Sequence, residues 1–330
     1  MHDTNKRRLT MENLPKISNR SRGMPVVALI LLTCIFSVSC NHKPKDGQGH
    51  IPDSAATSSA ATASKTFTIA SFNSLHLGWN NQKDTTAYCG VLAKYDMIGL
   101  VEVMNTEILD KVKDKLHAMT SVDWEYVASD KKIGRTTYKE YYAIMYRADK
   151  TRFIGGSSRV WNDEGDKFER EPFIATFKSG NFDYTIIFIH TAFGDNLSVR
   201  RAEAAELASV FKAVQDADPK ENDIILMGDF NLPASDPGWQ NLKAIATMQY
   251  EIPDTTLTTL NSQGDLSSSY DNIWFQGQYT NWEYAGTANA DYYYTVTFKE
   301  DPNPGKRAFK TVSDHVPVFA VFYVDKDDDD

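Results

Sequence analysis

The chain has 330 residues, 42% of them hydrophobic, which is enough to bury one large core or two modest ones. Its formal net charge is −9, and leaving out the first forty residues changes the balance from 35 Lys/Arg and 44 Asp/Glu to 29 and 42, about −13. So acidic a surface argues against avid, nonspecific binding to nucleic acid. Cys34 and Cys40 both lie in those forty residues, so Cys89 alone leaves no disulfide framework and no thiolate metal cluster.

Residues 1–40 have the pattern of an export signal. Six Lys/Arg precede the apolar run PVVALILLTCIF, which is too short to span a membrane comfortably. The next four residues, Ser37-Val38-Ser39-Cys40, are similar to the bacterial lipobox, in which the cysteine is acylated and becomes the N-terminus. We therefore expect a lipoprotein-type signal peptide with lipidation at Cys40. An ordinary signal peptide cut near this point and a membrane anchor are the alternatives.

The rest of the chain divides into a linker, a domain and a tail. Residues 41–64 are rich in Ser, Ala, Thr, Gly and Pro and predict a flexible linker. Residues 65–326 predict one folded domain, and residues 327–330 an acidic tail. The expected product is a monomer in the bacterial cell envelope, lipid-anchored on the periplasmic side or the cell surface, or else secreted. Its only expected contact with the membrane is the N-terminal lipid anchor.

From Phe67 onward, segments with strand and helix periodicity follow one another. The predicted strands are residues 67–73, 96–103, 141–147, 152–156, 171–178, 184–191, 223–229, 270–275, 292–298 and 316–324; the predicted helices are residues 84–95, 106–119, 197–217 and a short one near 239–248. The strands do not form regular β-α-β repeats, and several look like hairpins. With neither an internal repeat nor a second linker, a single α/β domain is expected.

Several apolar strands share one feature, a polar residue at the end that could hold a metal or move a proton. These residues are Asn73, Glu102, His190, Asp229 with Asn231, Asp271 before the strand IWF, and Asp314 and His315 before the last strand. Any one of them alone is as well explained as a turn residue or as hydrogen-bonded scaffolding. Because the ends of adjacent strands meet on one rim of a sheet, the whole set predicts a site there.

The residue types indicate the chemistry of that site. Carboxylates and amides without cysteine suit hard cations such as Mg²⁺, Mn²⁺ or Ca²⁺, whereas zinc would require more His or Cys. Hard cations held by a few carboxylates commonly serve phosphoryl oxygens. Two histidines with acidic neighbours add general acid and base groups.

Seven stretches, in chain order, resemble the endonuclease/exonuclease/phosphatase superfamily and, within it, the deoxyribonuclease I family. They are GRTTYKEYY, EREPF, FIHTAF, ILMGDFN, IPDTTLTT, SYDNIWF and SDHVPV, and the similarity spans nearly all of residues 67–324. The resemblance implies a four-layer αββα sandwich, with two packed mixed β-sheets flanked by helices. It also implies that a metal-assisted water hydrolyses a phosphodiester.

The resemblance implies roles for the acidic and amide residues. Asn73 and Glu102 would hold the catalytic cation, Mg²⁺ or Mn²⁺, with Asp314 nearby. Asp229 and Asn231 would bind a metal or the scissile phosphate. A structural Ca²⁺ is a further expectation.

The resemblance also implies two acid/base pairs. His190, oriented by Glu140, would be one of them, and His315, oriented by Asp271, would be the other. Arg170 of EREPF would contact phosphate.

The grip on substrate is where the chain departs from the family. Tyr138 would approach the minor groove and pack on a sugar, as in the family. Leu75 and Met104, however, stand where the family has arginines that help to grip DNA. Their absence predicts weaker duplex binding. The basic residues within 131–135 either compensate for this loss or serve only solubility.

Three functional hypotheses follow. The first is an exported, divalent-metal-dependent endonuclease that hydrolyses DNA. The second keeps the chemistry but acts on a sugar, inositol or sphingolipid phosphoester, which the acidic chain and the missing arginines favour. The third is a non-catalytic surface binding protein, against which both acid/base pairs argue, since a pure binder needs neither.

Overall fold

The computed structural model describes residues 65–79 and 82–327. The predicted signal peptide 1–40, its lipidation site Cys40, the linker 41–64 and residues 328–330 of the predicted tail lie outside the described residues. Among the helices that are described, none is long and apolar enough to cross a membrane.

Two mixed β-sheets form the centre of the domain. The first contains β1 (Thr66–Leu77), β2 (Met97–Val103), β3 (Trp124–Ala128), β4 (Tyr141–Arg147), β12 (Tyr284–Ala290) and β13 (Val318–Tyr323), in the order β12-β13-β1-β2-β4-β3. The second contains β5 (Arg152–Phe153), β6 (Arg159–Val160), β7 (Phe173–Ser179), β8 (Phe182–His190), β9 (Ile224–Asp229), β10 (Met248–Tyr250) and β11 (Asp271–Gln276), in the order β10-β11-β9-β8-β7-β5, with β6 also paired to β7. The pairs β1–β2 and β8–β9 are parallel, and the others are antiparallel.

Helices flank these sheets, which confirms the predicted sandwich. They are α1 (Thr85–Leu92), α2 (Glu107–Thr120), α3 (Leu197–Ala217), α4 (Gln240–Lys243), α5 (Gly277–Thr280), α6 (Tyr294–Thr297) and α7 (Pro304–Thr311), with a 3-10 turn at Pro237–Trp239. The N-cap of α1 is Asp84, whose carboxylate accepts from the N–H of Ala87, and that of α3 is Asn196, whose side chain accepts from Ser198.

Strand β8 shows why the central strands are apolar on both faces. Ile186 and Phe188 belong to the core that includes the first sheet, whereas Ile187 and Ile189 belong to a second core with α3. Because successive side chains of a strand point to opposite faces, a strand covered on both sides needs apolar residues at every position. The nearly continuous apolar run of residues 184–190 therefore reflects burial between two layers.

One predicted element is wrong, and another is shorter than predicted. Residues 292–298, predicted as a strand, instead contain the short helix α6, which leaves Val296 largely exposed while Tyr293 is fully buried. The edge strand beside β13 is β12, whose sequence YAGTANA has only two β-branched or aromatic residues, Tyr284 and Thr287. Only residues 240–243 of the predicted helix near 239–248 are α-helical, since Met248 begins strand β10.

Gly99 of β2 lies where the two sheets face each other. A Cβ at this position would come within 2.7 Å of Cζ of Phe188 and 2.8 Å of Cε of Met227, both fully buried in the second sheet. The sheets therefore approach closely at this point only because residue 99 has no side chain.

We expect Gly99→Ala to lower the free energy of unfolding by about 1–3 kcal/mol, because the added methyl group overpacks the core between the sheets. Urea unfolding of the purified chain measures this change. The matched control is Gly90→Ala in α1, where the nearest atom to the new Cβ would be 3.9 Å away and alanine favours the helix. Equal stability of the two variants would contradict the expectation.

Candidate active site

The polar strand ends meet in one cleft of about 530 Å³. Its lining includes nine of the residues singled out in the sequence, Asn73, Glu102, Tyr138, Arg170, His190, Asp229, Asn231, Asp314 and His315. Glu140 and Asp271 are fully buried and each contacts one of the histidines. The structure therefore brings together every predicted site residue except Cys40, which lies outside the described residues.

Strand register sets the centre of the site. Asp229 pairs with His190 across the parallel β8–β9 ladder and with Asp271 across the antiparallel β9–β11 ladder. Three side chains from three adjacent strands therefore stand in one row across the second sheet. His315 comes from the loop before β13 and reaches the same row through Asp271.

Each histidine forms a dyad with a buried carboxylate. Nδ1 of His190 lies 2.9 Å from Oε1 of Glu140, and Nδ1 of His315 lies 2.8 Å from Oδ2 of Asp271. Because a carboxylate accepts this bond, Nδ1 carries the proton in both rings. In both, Nε2 points to the same atom, Oδ2 of Asp229, at 3.5 Å.

Asp229 also connects the two sheets. Nδ2 of Asn73, on the first sheet, donates to Oδ2 of Asp229 and to Oε1 of Glu102, both at 3.0 Å. The N–H of Asn231 donates to Oδ1 of Asp229 at 3.0 Å. Asp229 is 1% exposed, so these bonds replace the water that its carboxylate loses on burial.

The backbone around the cleft is strained. Glu102 and Asn231 have φ angles of 58° and 47°, left-handed values that non-glycine residues seldom adopt. In Gly228, φ is 153°, and a Cβ there would lie 1.9 Å from the carbonyl oxygen of Ile189. The glycine of the GDFN motif is therefore required for β9 to approach β8 closely beside Asp229.

The charges around Asp229 favour protonated imidazoles. Burial by itself lowers the pKa of His190, but Glu140 and Asp229 outweigh this effect and raise it. Burial likewise opposes charging of His315, yet Asp271 and Asp229 raise its pKa well above the usual value. Burial would raise the pKa of Asp229, but the two imidazoles hold it below its usual range. Either ring can thus hold a second proton close to an ionised carboxylate.

The carboxylates of the cleft suit a hard cation. Burial and then the charges of Glu102 and Asp229 raise the pKa of Asp314, although His315 acts in the opposite direction. Oδ1 of Asp314 is buried and accepts no hydrogen bond. A divalent cation would relieve this repulsion and supply the missing partner.

A second set of possible ligands overlaps with this one. Asp229, Asp271 and His315 bring one ligand atom each within 4.8 Å of one another. In the described geometry, however, Asp271 and His315 are hydrogen-bonded to each other through Nδ1. A cation bound through Nδ1 of His315 would have to break the dyad, and one bound through Nε2 would occupy the nitrogen that faces Asp229. The carboxylate set with Glu102 and Asp314 leaves the histidine free for proton transfer and therefore fits a cation better.

Arg170 is buried, and the structure shows what it holds. Its Nε donates to the carbonyl oxygen of His190 at 2.8 Å, and a terminal nitrogen donates to that of Thr191 at 2.5 Å. These bonds fix the backbone at the end of β8, where His190 lines the cleft. The predicted contact with phosphate is available because Arg170 also lines the cleft.

The basic residues 131–135 do not line this cleft. Arg135 forms an ion pair with Asp166 at 2.9 Å and donates to the carbonyl oxygen of Phe168 at 2.7 Å. Lys132 lies over the ring of Tyr141. In this structure they therefore do not replace the arginines absent at positions 75 and 104.

Two further residues contact the site without having been predicted from the sequence. The N–H of His76 donates to Oε2 of Glu102 at 3.0 Å, and its Nε2 lies 3.3 Å from the same oxygen. The hydroxyl of Thr258 donates to Oδ2 of Asp271 at 2.7 Å. The only sequence feature that indicated His76 was its position three residues after Asn73. Thr258 lies in the stretch IPDTTLTT, which resembles the family.

Known proteins resemble this chain in sequence. No family model matches it. A deoxyribonuclease from Thioalkalivibrio sp. (strain K90mix) is 34% identical over 261 residues, covering 77% of this chain and 70% of that protein. Deoxyribonuclease gamma of Homo sapiens is 29% identical over 268 residues (76% and 84%), and deoxyribonuclease-1 of Oryctolagus cuniculus is 27% identical over 271 residues (76% and 90%).

Solved structures share the fold. An endonuclease/exonuclease/phosphatase protein from Bacteroides vulgatus superposes with a TM-score of 0.53 at 15% identity, covering 78% of this chain and 98% of that one. A family protein from Bacteroides thetaiotaomicron gives 0.50 at 16% identity, covering 78% and 95%. The sequence relatives and the shared fold together show that the chain belongs to the endonuclease/exonuclease/phosphatase superfamily, close to deoxyribonuclease I. The chain is a hydrolase acting on phosphoester bonds.

Proposed function

We propose that this protein is an exported, divalent-metal-dependent endonuclease that hydrolyses the phosphodiester bonds of DNA. The observation that carries the proposal is the pair of dyads, His190–Glu140 and His315–Asp271, whose Nε2 atoms both lie 3.5 Å from Oδ2 of Asp229. Hydrolysis needs one group to take a proton from water and another to give a proton to the leaving oxygen. Two oriented imidazoles in one cleft supply both groups, and the deoxyribonuclease relatives support DNA as the substrate.

The remaining residues position the phosphate. A Mg²⁺ or Mn²⁺ ion held by Glu102 and Asn73, with Asp314 beside them, would stabilise negative charge on the phosphoryl oxygens. Asp229 and Asn231 stand at the end of a rigid strand. Their side chains therefore need little rearrangement on reaching the transition state. A structural Ca²⁺ is part of the proposal through the family resemblance alone.

Export rests on the leader sequence. The basic start, the short apolar run and the small residues before Cys40 support a lipoprotein signal. We propose that the protein is a monomer that is either anchored by lipid in the bacterial cell envelope or secreted.

A second candidate function is hydrolysis of a sugar, inositol or sphingolipid phosphoester. Leu75 in the cleft and Met104 beside it provide no positive charge for gripping a duplex. Offering plasmid DNA, RNA, an inositol phosphate and sphingomyelin side by side distinguishes the two. Nicking of plasmid supports the nuclease; release of phosphate or phosphocholine alone supports the alternative.

We expect His190→Ala and His315→Ala each to reduce plasmid nicking by at least about 10²-fold, because each removes one proton-transfer group. Initial rates on supercoiled plasmid measure the loss, and circular dichroism checks that both variants fold. The matched control is His117→Ala, an exposed histidine in the last turn of α2. Near-normal activity in either dyad variant, or an equal loss in the control, would refute the assigned roles.

We expect excess EDTA to stop turnover, because the crowded carboxylates of Glu102, Asp229 and Asp314 then lack their cation. Adding Mg²⁺ or Mn²⁺ back should restore the rate. The measurement is plasmid nicking before chelation, during it and after the ion is returned. Turnover that persists in excess chelator would remove the metal from the proposal.

We expect Cys40→Ala to abolish incorporation of labelled palmitate in a bacterial host, because the acylated thiol is lost. Cys34→Ala is the matched control, since it changes the other cysteine of the leader and should remain labelled. An unlabelled wild-type protein, or a labelled Cys40→Ala variant, would rule out the lipoprotein signal.

A further inference from the structure

Strand β1 has an irregularity beside the cleft. Its pairing with β2 shifts register between Asn73 and Leu77. Within this bulge Leu75 and His76 have φ angles of 44° and 57°, two of the seven positive values found in non-glycine residues of the described chain. Bulges re-aim side chains at the cost of local strain, and here the chain is turned so that His76 faces Glu102.

Three aromatic rings gather where this bulge reaches the surface. The ring centroids of His76 and Trp79 are 4.6 Å apart, those of His76 and Tyr138 5.7 Å, and those of Trp79 and Tyr138 6.3 Å. We call these three residues the rim cluster. His76 and Tyr138 line the cleft, and Trp79 extends the aromatic surface outward from them.

The rim cluster is held in place but left open. His76 is tied to Glu102 by its N–H, the N–H of Trp79 donates to the carbonyl oxygen of His76 at 3.0 Å, and Asn105 donates to the carbonyl oxygen of Gly78 at 2.6 Å. Even so, Trp79 is 55% exposed. The backbone of Trp79 is hydrogen-bonded and its indole packs against His76 and Tyr138. An indole that is partly ordered in this way, with more than half of its surface in water, is suited to stacking because less entropy is lost when a ligand covers it.

The residues that line the cleft carry little positive charge. Among the described residues that line the cleft, Arg170 is the only arginine or lysine, and its guanidinium is buried against the carbonyl oxygens of His190 and Thr191. Proteins that grip duplex DNA rely on arginine and lysine contacts with phosphates. Proteins that bind single strands also use positive charge along the backbone, but they add aromatic rings on which unpaired bases stack, so part of their affinity does not depend on phosphate contacts.

We propose that the rim cluster binds an unpaired nucleobase of the substrate strand by stacking on Trp79, so that the enzyme prefers single-stranded or locally unpaired DNA to intact duplex. This inference rests on the proposed function, because it presumes a nucleic-acid substrate. A duplex keeps its bases stacked on one another and cannot present a base face to Trp79. Phe193, which lines the cleft and is 79% exposed, provides a further aromatic surface for the nucleic-acid strand.

The test compares probes that differ only in their bases. The full-length protein, with EDTA present to stop hydrolysis, is titrated with a labelled single-stranded oligonucleotide, an abasic strand of the same length and charge, and the matched duplex. Fluorescence anisotropy gives the Kd of each. We expect the single strand to bind about tenfold more tightly than the abasic strand, and Trp79→Ala to abolish this difference while Trp79→Phe keeps part of it.

The matched control is Trp282→Ala, which removes another exposed tryptophan, 57% exposed and outside the cleft lining. It should leave the ratio of the two Kd values unchanged. Equal affinity for the base-containing and abasic strands, tightest binding to the duplex, or a Trp79→Ala variant with the wild-type ratio would each overturn the proposal. Plasmid nicking reports separately on the proposed function: nicking without any base-dependent affinity refutes the rim cluster alone, and absence of cleavage of any DNA refutes the nuclease.

Discussion

The site depends on one constraint, the register that places His190, Asp229 and Asp271 side by side on β8, β9 and β11. Side chains alternate along a strand, so a slip of one residue in either ladder would turn a member of this row to the opposite face. The apolar residues that precede Asp229 in β9 are fixed between two cores, which makes such a slip costly. The hydrophobic layers therefore set the catalytic geometry.

The second dependency is the bridge between the sheets. Asn73 donates to carboxylates on both sides of the cleft, and Gly99 lets the two sheets approach. Buried carboxylates and imidazoles are costly to desolvate unless each finds a partner. Here the two dyads and the amide of Asn73 provide most of those partners. Oδ1 of Asp314 is buried without a hydrogen-bond partner, and a bound cation would supply one.

The chemistry and the substrate grip are built from different parts of the molecule. His190 and Asp271 stand on paired strands of the second sheet, and their partners Glu140 and His315 lie just before β4 and β13. The rim cluster rests on a strained bulge in β1, where a few residues can change without disturbing either sheet. Apolar side chains at positions 75 and 104 and an aromatic surface at 79 can thus alter which strand is held while the acid/base groups stay in place.

Local patterns in the amino-acid sequence were sufficient to predict the central strands, α2 and α3, and the convergence of Asn73, Glu102, His190 and Asp229 on one rim. A strand that is buried on both faces needs a continuous apolar run, and a polar residue at the end of such a run is easily recognised in the sequence. Strand β12, the helix at 294–297 and the contact of His76 with Glu102 depended on the folded structure. Edge pairing and a strand bulge are decided by neighbours distant in the chain, so no local pattern of residues records them.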